Sequence, residues 1–137
     1  MKRMTPDQAV TYIGVQHDGG LSPCPGMPNA VCSYFPKDRS HFLAPLLYEG
    51  SEDSARERIK AIHETLSGVR LLKEQGHYLH YEFKSLIMHY FDDVEFLIDS
   101  EAQTIHFRSA SREGFWDFGR NARRMKKFKS LFQSIRV

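Results

Sequence analysis

His77–Arg124 reads HYLHYEFKSLIMHYFDDVEFLIDSEAQTIHFRSASREGFWDFGRNARR, and the period of its apolar residues decides the fold. From Tyr78 to Lys84, Leu79, Tyr81 and Phe83 alternate with Tyr78, His80, Glu82 and Lys84. Successive side chains of a strand point to opposite faces, so the first set belongs to a core and the second to the far side of a sheet. A longer strand is expected from about Leu86 to Ile98. Its second half places Val94, Phe96 and Ile98 inward and Asp93, Glu95 and Leu97 outward. Asp99-Ser100-Glu101-Ala102 carries turn residues and predicts a hairpin loop. Thr104 to Ser109 alternates again, with Ile105 and Phe107 inward and Thr104, His106 and Arg108 outward.

Helical periodicity flanks these strands. Upstream, Ala55, Ile59, Ile62 and Leu66 form one apolar stripe, with Gly68 just beyond it as a left-handed C-terminal residue. Ser51 or Ser54 can cap this helix, and Ser54-Ala55-Arg56-Glu57 fits a capping box. Val69 to Lys73 predicts a first strand turning at Gln75-Gly76. Downstream, a second helix is expected from Asp117 or Phe118. Its buried stripe is Phe118, Ala122, Met125, Phe128, Phe132 and Ile135, with Leu131 at the edge.

Residues 21–50 hold Pro23, Pro25, Pro28, Pro36 and Pro45, so an irregular N-terminal arm over 1–50 is expected, tacked on by residues such as Val31 and Leu46. The whole reads as one α+β domain over 1–137. It has an antiparallel sheet of about four strands with two helices on one face, preceded by the Pro-rich arm.

Composition narrows the class. The 137 residues are 41% hydrophobic and 26% charged, as in an ordinary globular domain, and a net charge of +2 does not by itself imply a polyanion partner. No run approaches the ~20 apolar residues that cross a bilayer. Asp7, Gln8, Gln16, His17 and Asp18 interrupt the first 20 residues, so no signal-peptide core is seen and a cytoplasmic setting is expected. Cys24 and Cys32 could form a small-loop disulfide in an oxidising compartment. Without a leader, two free thiols are the preferred reading. Arg120, Arg123, Arg124, Lys126, Lys127 and Lys129 read as the solvated face of the last helix. Nucleic acid is disfavoured because the aromatic residues there lie on the buried stripe.

The strand phases gather Tyr78, His80, Glu82, Lys84, Asp93, Glu95, His106 and Arg108 on one sheet face. Directly opposed residues on antiparallel strands approach to ~5 Å, so these groups can pair. His80, Glu82, Asp93, Glu95 and His106 are candidate acid–base residues, with His80 oriented by Glu82 or Asp93. Asp92 and Asp93 face opposite ways in a regular strand and are not a shared-proton dyad. His80, Glu82 and His106 also make a weak two-His, one-carboxylate metal set. Arg108 and Arg112 suit a carboxylate or phosphate, with Ser109 and Ser111 as neighbouring hydroxyls. No GxSxG elbow and no glycine-rich phosphate loop occurs.

Pro23-Cys24-Pro25, Pro28-Asn29, Cys32-Ser33, His41 and Pro45 resemble the opening of domain-of-unknown-function family 1499. Phe91–Phe96 resembles its central block. Ile105–Arg112 with Gly114, Asp117, Gly119, Asn121 and Arg124 resembles its closing block. The resemblance spans about residues 21–130 and implies a small soluble domain, often carried behind an export signal or membrane segment. It implies no activity. The family's motif residues correspond here to Asp92, Asp93, Glu95, Arg108, Ser109, Ser111, Arg112, Asp117, Asn121 and Arg124.

Three functions follow as expectations. The first is binding of, or action on, a small carboxylated or phosphorylated ligand, gripped by Arg108, Ser109, Ser111, Arg112, Asn121 and Arg124. The second is a non-catalytic interaction module whose polar residues form a structural ion-pair network. The third is a metal-dependent enzyme using His80, Glu82 and His106. No cofactor and no oligomeric state can be read from the chain.

Overall fold

A computed structural model describes residues 13–87, 89–113 and 117–134. The described elements are β1 (Ala30–Cys32), β2 (Leu46–Leu47), α1 (Glu52–Glu64), β3 (Val69–Gln75), β4 (Tyr78–Lys84), β5 (Phe91–Asp99), β6 (Thr104–Ser111) and α2 (Arg120–Ser134). The strands form one antiparallel sheet in the order β1-β6-β5-β4-β3, and β2 pairs with β6 as well. β1 lies against Arg108–Ala110 and β2 against Thr104 and Ile105, so the two short strands share one edge of β6.

The α+β architecture matches the sequence reading, with six strands rather than about four. Both additional strands come from the segment expected to be irregular. Its prolines bracket these strands instead of interrupting them: Pro28 precedes β1, Pro36 follows it, and Pro45 immediately precedes β2. A proline outside the ladder removes no ladder hydrogen bond, so short pairings survive between them.

The inward residues alternate as expected. Leu79, Val94, Phe96, Ile98, Ile105 and Phe107 join Ala55, Ile59 and Ile62 of α1 and Met125, Phe128 and Phe132 of α2 in one buried cluster. Phe96 and Phe107 face each other across β5 and β6, and the Phe96 ring lies 4.9 Å from Phe128. Each side chain of this kind contributes about 1.5–3 kcal/mol on full burial, so the shared apolar face is what fixes both helices to one side.

Local chemistry sets the boundaries. The α1 cap is Ser51, whose hydroxyl accepts the Ser54 N–H; Ser54 itself lies inside the helix, so the Ser54–Glu57 box does not form. Gly68 has φ 73°, and a Cβ there would stand 2.5 Å from the Lys84 carbonyl oxygen. β5 begins at Phe91, not near Leu86. Ser85 and Tyr90 instead close a loop, with the Ser85 N–H donating to the Tyr90 carbonyl at 2.9 Å and the Tyr90 N–H to Ser85 Oγ at 2.8 Å.

Asp117 stands before α2, its Oδ1 accepting the Gly119 N–H and its Oδ2 the Asn121 N–H. That turn places Phe118 at φ 54° and 72% exposed, so it leaves the buried stripe predicted for it. Ile135 lies outside the described residues.

Candidate functional site

On the outer sheet face, β4, β5 and β6 set His80 opposite Glu95 and Glu95 opposite Arg108, with Glu82 opposite Asp93. The strand phase is as expected, but the face is not a solvated surface. Glu95 is fully buried, Arg108 3%, Asp93 4% and His80 6% exposed. The N-terminal segment covers them. The Gly14 N–H donates to Glu95 Oε2 at 2.8 Å, and Arg108 Nε donates to the Pro23 carbonyl at 3.3 Å. The Tyr34 ring sits 4.4 Å from His106.

Two linked clusters fill this face. Tyr78 donates its hydroxyl proton to Glu95 Oε2 at 2.5 Å, and Arg108 Nη1 lies 3.4 Å from Glu95 Oε1. Burial, reinforced by the Glu95 charge, pushes the Tyr78 hydroxyl far above its ordinary range. In the second cluster His80 Nε2 is 2.8 Å from Asp93 Oδ1, while Arg112 clamps Asp93 with two bonds of 2.8 and 2.6 Å. Arg112 also reaches Glu82 at 2.9 Å. Burial alone would raise the Asp93 carboxyl. Arg112 and then His80 outweigh it and hold the group below the usual carboxylate range.

A third cluster occupies the opposite, helix-covered face at the strand–helix corner. Asp92 receives two bonds from Arg120, at 2.8 and 2.7 Å, and one from Arg124 at 2.6 Å. Burial is again the largest single influence and acts upward. The two arginines overcome it, and the Asp92 carboxyl is depressed. Ser111 Oγ accepts from Arg120 and from Asn121. Asn121 Nδ2 also donates to the Asn29 carbonyl and to Asp117, and Asn121 Oδ1 accepts from Ser109 at 2.6 Å and from Arg124. Here Asn121 ties the residue preceding β1, the β6 strand and α2 together.

The expected ligand-binding group is therefore divided. Arg108 and Arg112 lie on the outer face, whereas Ser109 and Ser111 lie beneath α2 and Asn121 and Arg124 belong to that helix. Ser109 and Asn121 are fully buried. The acid–base candidates His80, Glu82, Asp93 and Glu95 do come together. His106 stands apart from them, opposite Leu97, with its Nδ1 3.1 Å from Ser33 Oγ. Burial lowers the His106 pKa. Neither Ser109 nor Ser111 shares a sheet face with a candidate histidine, so neither is placed to act as a nucleophile.

Ser33 is the hydroxyl that meets His106. It is 2% exposed, and its oxygen already accepts the Phe107 N–H at 2.7 Å, which marks it as a strand-joining residue. The metal alternative does not converge: His80 binds Asp93, Glu82 faces Arg70 and Arg112, and His106 is separate. Among the described residues no group of three or more His, Cys, Asp or Glu is arranged to hold a metal.

Sequence reading missed Arg120, assigning it to a solvated helix face. Its spacing from Arg124 was the available signal, since residues four apart lie on one side of a helix. It also missed the cysteine state. Cys24 and Cys32 form a disulfide with a Cα–Cα distance of 6.2 Å, joining the covering segment to β1. The free-thiol reading is corrected because β1 pairing brings the two residues within bridging distance, which spacing alone could not show.

A cavity of about 260 Å³ opens beside this face, bordered by Tyr34, His77, Leu97, Asp99, Glu101 and His106. No described helix is long and apolar enough to cross a membrane. No curated protein and no solved structure matches the chain. One family model does, over residues 20–132, a span running from the segment that covers the outer face through β6 into α2 and so containing all three polar clusters. The chain belongs to that family, described as a protein of unknown function (DUF1499).

Proposed function

We propose that this chain is a non-catalytic interaction module whose polar sheet residues form structural ion-pair networks. One observation carries the reading: the charges are already spent on one another. Glu82, Asp93, Glu95 and Asp92 each meet an arginine, and Arg108, Arg112, Arg120 and Arg124 each meet a carboxylate. A site built to grip an anion keeps its guanidinium fork open to the ligand. Thermal melts test this. Asp93→Asn and Arg112→Gln should lower the melting temperature, and a panel of small carboxylates and phosphates should leave the wild-type melt unmoved. A ligand-dependent rise that vanishes in Arg112→Gln would overturn it.

A second reading keeps a small carboxylated or phosphorylated ligand, moved to the strand–helix corner. The Arg112 and Arg120 side chains retain 22% and 28% of their exposure, against 4% for Arg108. Calorimetric titration with inorganic phosphate would test it. Heat of binding retained in Arg108→Ala and lost in Arg120→Gln is the result it requires.

The Cys24–Cys32 link supports an oxidising compartment as the working location, in place of the cytoplasm.

A further inference from the structure

We propose that the end of the sheet carrying Leu86, Ile87 and the start of α2 docks onto an anionic lipid surface. Leu86, Ile87 and Phe118 are 74%, 86% and 72% exposed. A single exposed apolar residue needs no explanation, but three large ones on two neighbouring loops call for one. Leu86 and Ile87 occupy the loop closed by Ser85 and Tyr90. Two residues beyond Phe118, the Arg120 guanidinium lies 5.6 Å from the centre of the Tyr90 ring, fastening the two loops at the same end of the sheet.

Phe118 is held in place by its turn. Its φ of 54° is a left-handed conformation that a bulky aromatic side chain seldom adopts. Asp117 Oδ1 accepts the Gly119 N–H at 2.8 Å, and Arg123 Nη1 donates to the Phe118 carbonyl at 2.6 Å. Such a conformation, maintained by its surroundings at an exposed position, argues from an outlier toward a function.

Cations border the patch. Lys84 closes β4 one residue before the loop, and Arg123 holds the Phe118 turn. Arg120 keeps 28% of its side-chain exposure at the same end, Lys126 and Lys127 are exposed further along α2, and Asp92 and Asp117 are buried. Apolar side chains rimmed by lysine and arginine suit the headgroup boundary of an anionic membrane. Leu86 and Ile87 are aliphatic and give bases nothing to stack on, so Phe118 alone of the three patch residues could receive a base, which disfavours nucleic acid.

This proposal rests on the reading of the chain as an interaction module and names the surface it meets. Co-sedimentation of the full chain tests it, with vesicles of phosphatidylcholine alone and of phosphatidylcholine mixed with phosphatidylglycerol. Binding to the mixed vesicles, weakened by added salt, is expected. Ile87→Asp should reduce it roughly tenfold or more. Leu86→Asp, at a 74% exposed position, should keep the melting temperature while also losing binding. The proposal is overturned by no binding to the mixed vesicles or by undiminished binding of Ile87→Asp. Tighter binding to an oligonucleotide, or a dimer that Ile87→Asp dissociates, would also overturn it. If the vesicles fail while Asp93→Asn and Arg112→Gln behave as scaffold variants, the lipid surface falls and the module reading stands.

Discussion

Asp92 and Asp93 are neighbours in β5, and their carboxylates lie on opposite faces of the sheet in separate arginine clamps. Asp92 turns toward α2 and receives Arg120 and Arg124; Asp93 turns outward and receives Arg112 and His80. One dipeptide thus secures the covering helix on one side and the outer-face network on the other.

Breaking either clamp should be costly, because half-buried guanidiniums are left without their buried carboxylate partner. Asp92→Asn and Asp93→Asn are each expected to lower stability by about 3–5 kcal/mol, read from urea unfolding midpoints. Since the two carboxylates serve different partners, the double variant should be close to additive. Asp92→Asn and Arg124→Gln remove the two halves of one ion pair, so that double variant should not be additive.

Acid should unfold the protein in two stages. His63 is buried, stacked on Tyr81 with ring centroids 4.0 Å apart, and donates from Nδ1 to the Ile59 carbonyl at 2.7 Å. Burial lowers its pKa from 6.5 to about 4. Between those values the unfolded chain binds the extra proton, so stability rises with pH and is lost on acidification, by about 3 kcal/mol in all. Asp92 and Asp93 act lower. Their depressed pKa values give stability present above about pH 4 and lost as pH falls through the folded values. His63→Leu should flatten the profile between pH 7 and 4 and leave the steeper fall below it.

Reduction should loosen the outer face. The Cys24–Cys32 disulfide closes a sequence separation of 8, for which chain entropy predicts about 2.5 kcal/mol of stabilisation. A thiol reagent should find no reactive cysteine in the native protein. Dithiothreitol or Cys24→Ser should lower the melting temperature.

Glu95 holds three neighbours and separates two costs. Glu95→Gln leaves Arg108 buried without a counter-charge, for about 3–5 kcal/mol. Tyr78→Phe removes one hydrogen bond and should cost about 1–3 kcal/mol. Limited proteolysis should detect faster cutting between residues 13 and 24 in Glu95→Gln, because the Gly14 contact weakens with it.

Much of the sheet was legible because alternation is a local property. Leu79, Tyr81, Val94, Phe96, Ile105 and Phe107 announced their face by period, and so did the opposing His80, Glu82, Asp93, Glu95 and Arg108. The α1 stripe and Gly68 were readable for the same reason. Phe118 broke its stripe because Asp117 captures the Gly119 N–H and turns the chain before α2 begins.

By itself, then, the sequence determined the α+β class, the phase of β4, β5 and β6, and which acids and bases share a face. Tertiary structure alone decided that the outer face is covered, that Cys24 meets Cys32, and that Ser109 and Ser111 face α2's arginines and not a histidine. Periodicity tells each side chain which way to point. What it meets there depends on segments distant in the chain, such as Gly14 against Glu95 and Arg120 against Asp92, whose approach no local pattern encodes.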